Sequence, residues 1–315
     1  MKRFSALGQL SVWENRVLLI SSLAERLKNN CLSLVLGAGV SQAFRLPNWG
    51  ELIKNMETEC GYTCKDADLF EKADELRNFL MKKNGYTHYL DVVQKCLYNE
   101  VNDDFEVLND RKVLDAIAAL CIPSSRGSIR EIITFNFDNI LEIYLKYYGI
   151  IAYSPISGNS WRANADVNIY HIHGLLPKNT KSERSPSIVF DTTSYKERAE
   201  FEKWEWAPKI SSLLRSTTAI FIGLSGDDEN MKSFITDSEI NHAYNNTTDT
   251  FWGVTFVRNK KDEKIMEKMT EKWLRWKIFP IVIKSTTGAD ECTYQELENA
   301  IKTFLFAISQ AAAGL

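Results

Sequence analysis

Apolar positions along this chain follow two rhythms. Short, nearly continuous apolar runs at 32–36, 131–135, 167–172, 187–190, 219–224, 251–257 and 279–283 read as buried strands. Between them, apolar residues recur at helical spacing. Residues 139–147 carry Ile140, Leu141, Tyr144 and Leu145 on one face, and further helices are expected at 208–215, 229–237, 260–277 and 294–310. Strands alternating with helices predict an α/β fold, Rossmann-like, with a mostly parallel sheet covered by helices on both faces. A long helical stretch interrupts the alternation after Glu51, with Leu69, Ala73, Leu76 and Leu80 and then Tyr89, Val92, Val93 and Leu97 in register. The expectation is a single domain over 1–315 with a helical insertion at about 51–128.

Composition narrows the class. The 315 residues include 44% hydrophobic and 25% charged side chains, enough for a packed core. A net charge of −3 with no long basic block argues against direct nucleic-acid binding. The N-terminal stretch from Met1 to Arg26 is broken by Glu14, Asn15, Arg16 and Glu25, unlike a secretion signal. No apolar run approaches the roughly 18 to 20 residues that cross a bilayer, so a cytoplasmic protein without membrane contact is expected. The six cysteines are scattered, as in a reduced compartment, and the nearest pair, Cys60 and Cys64, lacks a second pair to complete a zinc site. No metal is expected.

Chemistry is concentrated where apolar runs end. Gly37-Ala38-Gly39-Val40-Ser41 follows the first strand. Two glycines there would let backbone N–H groups approach a pyrophosphate, helped by the field of a helix expected directly afterwards. A plain tight turn, with Ser41 as a helix cap, accounts for the same residues. Asn136 and Asp138 sit at the end of the second run, where open α/β sheets bind ligands, but either could simply cap the following helix. His171-Ile172-His173-Gly174 ends the third run. Two histidines at strand spacing could hold a metal, yet no carboxylate or thiol cluster supports one. His173, beside a glycine, is better read as an acid/base or ribose-contacting group or as a core histidine, with His171 a packed neighbour. Gly223, Ser225, Asp227 and Asp228 follow a later apolar run and suit either a phosphate or ribose contact or a helix cap.

The order G-A-G-x-S, T-x-N-x-D, H-G and G-x-S-x-x-D, here Gly37 to Ser41, Thr134 to Asp138, His173-Gly174 and Gly223 to Asp228, resembles the SIR2-like family. Trp49 and Tyr195 also look like family positions. With no C-x-x-C anywhere, the resemblance is to the zinc-free branch, the NAD-hydrolysing effectors of bacterial antiphage systems such as Thoeris, HerA-associated, short-Argonaute-associated and KongMing systems. The resemblance implies cleavage of NAD+ at the nicotinamide–ribose bond. Asn136 and His173 would be catalytic, and Gly37, Ala38, Gly39, Ser41, Trp49, Asp138, Gly223, Ser225 and Asp228 would bind NAD+. It further implies depletion of NAD+ and abortive infection. Because the chain ends soon after the resemblance does, a homo-oligomer and a separately encoded sensor are expected. An NAD- or ADP-ribose-sensing module, or a NAD-dependent ADP-ribosyltransferase or deacylase, are the competing readings.

Overall fold

The computed structural model describes residues 16–41, 44–65, 68–109, 112–156, 164–199, 205–226 and 251–314. Among these, seven strands form one all-parallel sheet: β1 (Leu32–Leu36), β2 (Glu131–Thr134), β3 (Ala152–Tyr153), β4 (Val167–His171), β5 (Thr218–Ile222), β6 (Gly253–Arg258) and β7 (Ile278–Ile283). Their spatial order is β3-β4-β2-β1-β5-β6-β7. In chain order the helices are α1 (Arg16–Lys28), α2 (Trp49–Cys60), α3 (Leu69–Leu97), α4 (Phe105–Asn109), α5 (Lys112–Cys121), α6 (Ile140–Tyr147), α7 (Thr192–Ala199), α8 (Ala207–Ser216), α9 (Glu263–Arg275) and α10 (Tyr294–Ala313). This is the expected α/β Rossmann-like architecture.

The strands are mostly apolar because both faces of the sheet are covered. Side chains alternate between two cores: Leu34, Leu36, Ile132, Ile169, Ile220 and Ile222 enter one, and Val35, Ile133, Tyr170 and Phe221 the other. Residues of α1, α2, α3, α5, α6 and α10 complete the first core, and α8 and α9 complete the second. Between β1 and β2 the chain is helical, and α3 breaks at Asn84-Gly85, where Gly85 has φ +80° and ψ 177°. The helical rhythm continues across that break, with Ala73, Leu76, Leu80, Tyr89, Val93 and Leu97 all buried.

Two expectations need correction. Residues 187–190 are not a strand of the sheet. Ile188, Val189 and Phe190 are buried across the end of β4, where the Val189 N–H donates to the His173 carbonyl at 2.8 Å. Their apolarity reflects burial in an irregular segment. The first glycine turn also does not lead directly into an α-helix. It forms a single 3₁₀ turn, Ala38–Val40, and the next described helix is α2, whose N-cap is Asn48 in a capping box with Glu51. The expected helix at 229–237 lies outside the described residues.

Candidate active site

Every motif singled out from the sequence follows the carboxyl end of a strand: residues 37–41 follow β1, 135–138 follow β2, 172–174 follow β4 and 223–226 follow β5. Asp227 and Asp228 lie outside the described residues. After β1 the chain builds one half of the sheet, then returns to lay β5 on the other side of β1. The carboxyl ends of β1 and β5 therefore flank the reversal of strand order, where open α/β sheets form ligand crevices.

The β1 and β5 loops interlock through backbone. The Gly37 N–H donates to the Ile222 carbonyl at 2.9 Å and the Gly39 N–H to the Gly223 carbonyl at 3.0 Å. A Cβ on Gly39 would lie 2.7 Å from the Gly223 Cα, and one on Gly223, which has φ +73°, would lie 2.7 Å from the Val40 nitrogen. Main chain meets main chain here, so side chains do not fit at these positions. The N–H groups of Val40 and Ser41 donate to Gly37 and Ala38 carbonyls. Four of the loop's amides thus serve the fold, which differs from a cradle of amides turned toward a pyrophosphate. The loop residues exposed to solvent are Ala38 and Gly39 after β1 and Gly223 and Ser225 after β5.

Ser41, Asn136 and Asp138 form one hydrogen-bonded chain. The Asn136 side-chain amide donates to the Gly37 carbonyl at 3.2 Å and to Ser41 Oγ at 3.0 Å, and the Ser41 hydroxyl donates to Asp138 Oδ1 at 3.2 Å. The Ile140 N–H also donates to Asp138 Oδ1, at 3.1 Å, a local turn contact one residue ahead of the N-cap of α6, Asn139, whose side chain makes no capping bond. Asn136 does no capping. Burial raises the Asp138 carboxyl to about 6, against the opposing hydrogen bonds from Ile140 and Ser41.

His171 adds a second buried pair. Its Nε2 lies 2.6 Å from Glu142 Oε1 and its Nδ1 lies 2.8 Å from the Asn136 carbonyl oxygen. Burial disfavours the charged imidazole, but the Glu142 carboxylate outweighs it and His171 is held above its ordinary value. Burial likewise opposes the Glu142 carboxylate, and His171 outweighs it, so Glu142 is held below its ordinary value. Ser154 Oγ donates to the same Glu142 oxygen at 2.5 Å. Ser41, Asn136, Asp138, Glu142 and His171 share the wall of an enclosed cavity of about 10 Å³, room for about one water. Glu142, on α6, was not a sequence candidate. Its place one turn after Asp138 was the signal available, since residues four apart on a helix share a face.

His173 has different surroundings. β4 ends at His171, and the chain turns so that the Gly174 N–H bonds back to the His171 carbonyl at 2.9 Å. The His173 ring packs edge-to-face on Phe135 with centroids 5.0 Å apart. It also belongs to a closed circuit of rings: His173 to Tyr195 at 5.6 Å, Tyr195 to Phe70 at 5.4 Å, Phe70 to Trp49 at 4.2 Å, Trp49 to Phe190 at 6.3 Å, Phe190 to Phe137 at 6.1 Å and Phe137 back to His173 at 6.5 Å. Trp49 Nε1 is buried there without a hydrogen-bond partner among the described residues. Asp191 anchors Tyr195 by accepting from the Ser194 N–H at 2.9 Å and from Arg77 at 3.1 Å, tying α7 to α3. The two histidines are thus not a metal pair, and no group of three His, Cys, Asp or Glu at metal-binding geometry occurs among the described residues.

Alternate residues of the loop after β2 serve the two settings, Asn136 and Asp138 the polar chain and Phe135 and Phe137 the rings. Residues 130–277 match the family model described as SIR2-like domain. The match takes in Asn136, Asp138, His171, His173, Gly223 and Ser225, while the β1 loop and Trp49 precede it. SIR2-like domains use NAD+, so the match supports an NAD-utilising enzyme. The chain matches no curated protein. No helix among the described residues is long and apolar enough to cross a membrane.

Proposed function

We propose that this protein is an NAD+ glycohydrolase. Water adds at C1′ of the nicotinamide ribose as the C–N bond breaks. The bonding pair goes to the pyridinium ring, which leaves as neutral nicotinamide, and the products are nicotinamide, ADP-ribose and a proton. Asn136 and Asp138 face the nicotinamide ribose, and His173 exchanges a proton with a ribose hydroxyl or the attacking water, a role typically worth about 10²- to 10⁴-fold in rate. Gly37, Ala38, Gly39, Ser41, Gly223, Ser225 and Asp228 bind the pyrophosphate and adenosine side. Trp49 contributes to the wall that keeps bulk water from the reacting carbon.

The observation that carries this reading is the half-buried Asn136–Ser41–Asp138 chain at the carboxyl edge of β1 and β2, with Asn136 and Asp138 inside the SIR2-like match. The family resemblance further supports an antiphage effector that depletes NAD+ in an infected cell. By that reading it acts as a homo-oligomer in the cytoplasm with a separate sensor or activator protein. The test is nicotinamide release from NAD+ by the purified protein, alone and with the products of neighbouring genes. Release with stoichiometric ADP-ribose is expected. Transfer of ADP-ribose to an added protein or acyl-lysine peptide in place of water would instead support a transferase or deacylase, and binding without release would support a sensor.

A further inference from the structure

His171 touches only acceptors at its two ring nitrogens in the described hydrogen bonds: a backbone carbonyl at Nδ1 and a carboxylate at Nε2. A neutral imidazole carries one proton and cannot donate to both while Glu142 is ionised, the form that His171 favours. Both are satisfied by the doubly protonated ring with Glu142 ionised. We propose that His171 and Glu142 are a positioning pair, in which the imidazolium, braced by Glu142, donates to the Asn136 carbonyl and fixes the peptide that carries the Asn136 amide.

The geometry gives the pair that leverage. The Asn136 peptide joins the end of β2 to the loop whose side chains contact Ser41 and the Gly37 carbonyl. Glu142 stands on α6, which the same loop begins, and β4 holds His171 beside Thr134 in the sheet. Three elements therefore meet at one imidazole. The charged groups acting on it are Glu142 from α6 and Asp138 from the β2–α6 loop, and both carboxylates also act on Tyr98 at the end of α3. Ser154 completes the Glu142 side. When His171 loses one proton, the carboxylate is the stronger acceptor and keeps the remaining N–H. The Nδ1 lone pair then faces the Asn136 carbonyl oxygen, and the peptide is pushed from its place. Glu142→Gln removes this conflict, because its amide donates to Nε2 and leaves the single proton on Nδ1.

The assignment of Asn136 to NAD+ cleavage is taken from the proposed function, so the experiment reads the pair in two independent ways. In protein labelled with ¹⁵N-histidine, the His171 signals are identified by their loss in His171→Gln. Both ring nitrogens are expected to be protonated at pH 6.5, the ordinary histidine value, in the wild type, with a single N–H at Nδ1 in Glu142→Gln. The ¹³C shift of the Asn136 carbonyl is expected to follow His171 deprotonation in the wild type and to stay constant in Glu142→Gln. Nicotinamide release should fall on the alkaline side with the same titration in the wild type, and that limb should disappear in Glu142→Gln. A neutral His171 ring in the wild type, or an Asn136 carbonyl indifferent to its titration, overturns the proposal. Identical alkaline profiles for the two proteins also overturn it. Absence of nicotinamide release at every pH counts against the NAD+ reading instead, and the ring and carbonyl signals still decide the pair.

Discussion

His171 and His173 stand two residues apart, yet they face opposite surroundings. His171 is hydrogen-bonded to the Glu142 carboxylate, which also accepts from Ser154, and to the Asn136 carbonyl. His173 packs among rings at centroid distances of 5.0 to 6.5 Å. The first setting has the means to hold charge and fix orientation. The second buries the imidazole among aromatic rings. The difference teaches that burial alone does not identify the role of a histidine.

Removing the reacting groups should separate the two settings most sharply. Asn136→Ala and His173→Ala are each expected to lower nicotinamide release by about 10²- to 10⁴-fold, with thermal melting close to wild type. A His173→Ala protein that keeps near-normal turnover, or loses it only by failing to fold, would return His173 to the role of a core histidine.

His171→Ala should show the reverse emphasis, with a fall in stability. It leaves Glu142 charged, buried and unpaired, which typically costs about 3 kcal/mol or more. The pair's stabilisation is present above the depressed Glu142 value and is lost as pH rises through the raised His171 value. Denaturant titration should therefore find the largest gap from wild type near neutrality and a smaller one in alkali. An equal gap at all pH values would mean that charge pairing is not the source.

Asp138→Asn sharpens the comparison by keeping shape and removing charge. The folded carboxyl titrates at about 6 against a reference of 3.8, so the stability it contributes is present below about pH 4 and lost as pH rises through about 6. The asparagine variant is expected to melt a few degrees higher than wild type at about pH 7.5 and at the same temperature near pH 4, a difference on the order of 3 kcal/mol. Matching melting curves at both pH values would show that the carboxylate carries no such penalty.

The smallest effect is expected from the scaffold behind both settings. Gly39→Ala forces a Cβ against the Gly223 Cα and should cost about 1–2 kcal/mol through a shift of the two loops. A crystal structure or melting curve indistinguishable from wild type would mean that the loops yield freely.

Much of this protein is decided by short-range pattern. Uninterrupted runs such as Leu32–Leu36 and Thr218–Ile222 can be buried on both faces only in a covered parallel sheet, so the sequence alone determined the fold class and put each motif at a strand end. The turn in which Asp138 accepts from the Ile140 N–H is likewise local, although the N-cap of α6 is Asn139. Where the local signal was ambiguous, tertiary structure decided. The apolar run at 187–190 is buried outside the sheet, and the polar helix α7 had no periodic apolar face to announce it. The glycine turn closes on Gly223 from another strand, which no local pattern encodes. The partners of His171 are Glu142, 29 residues away, and the Asn136 carbonyl, 35 residues away. The circuit around His173 draws rings from α2, α3, α7 and the loops after β2 and β4. Periodicity records which residues are buried, because burial depends on a single element's face. Which buried groups meet depends on strand order and on where each strand ends, and those are properties of the assembled sheet.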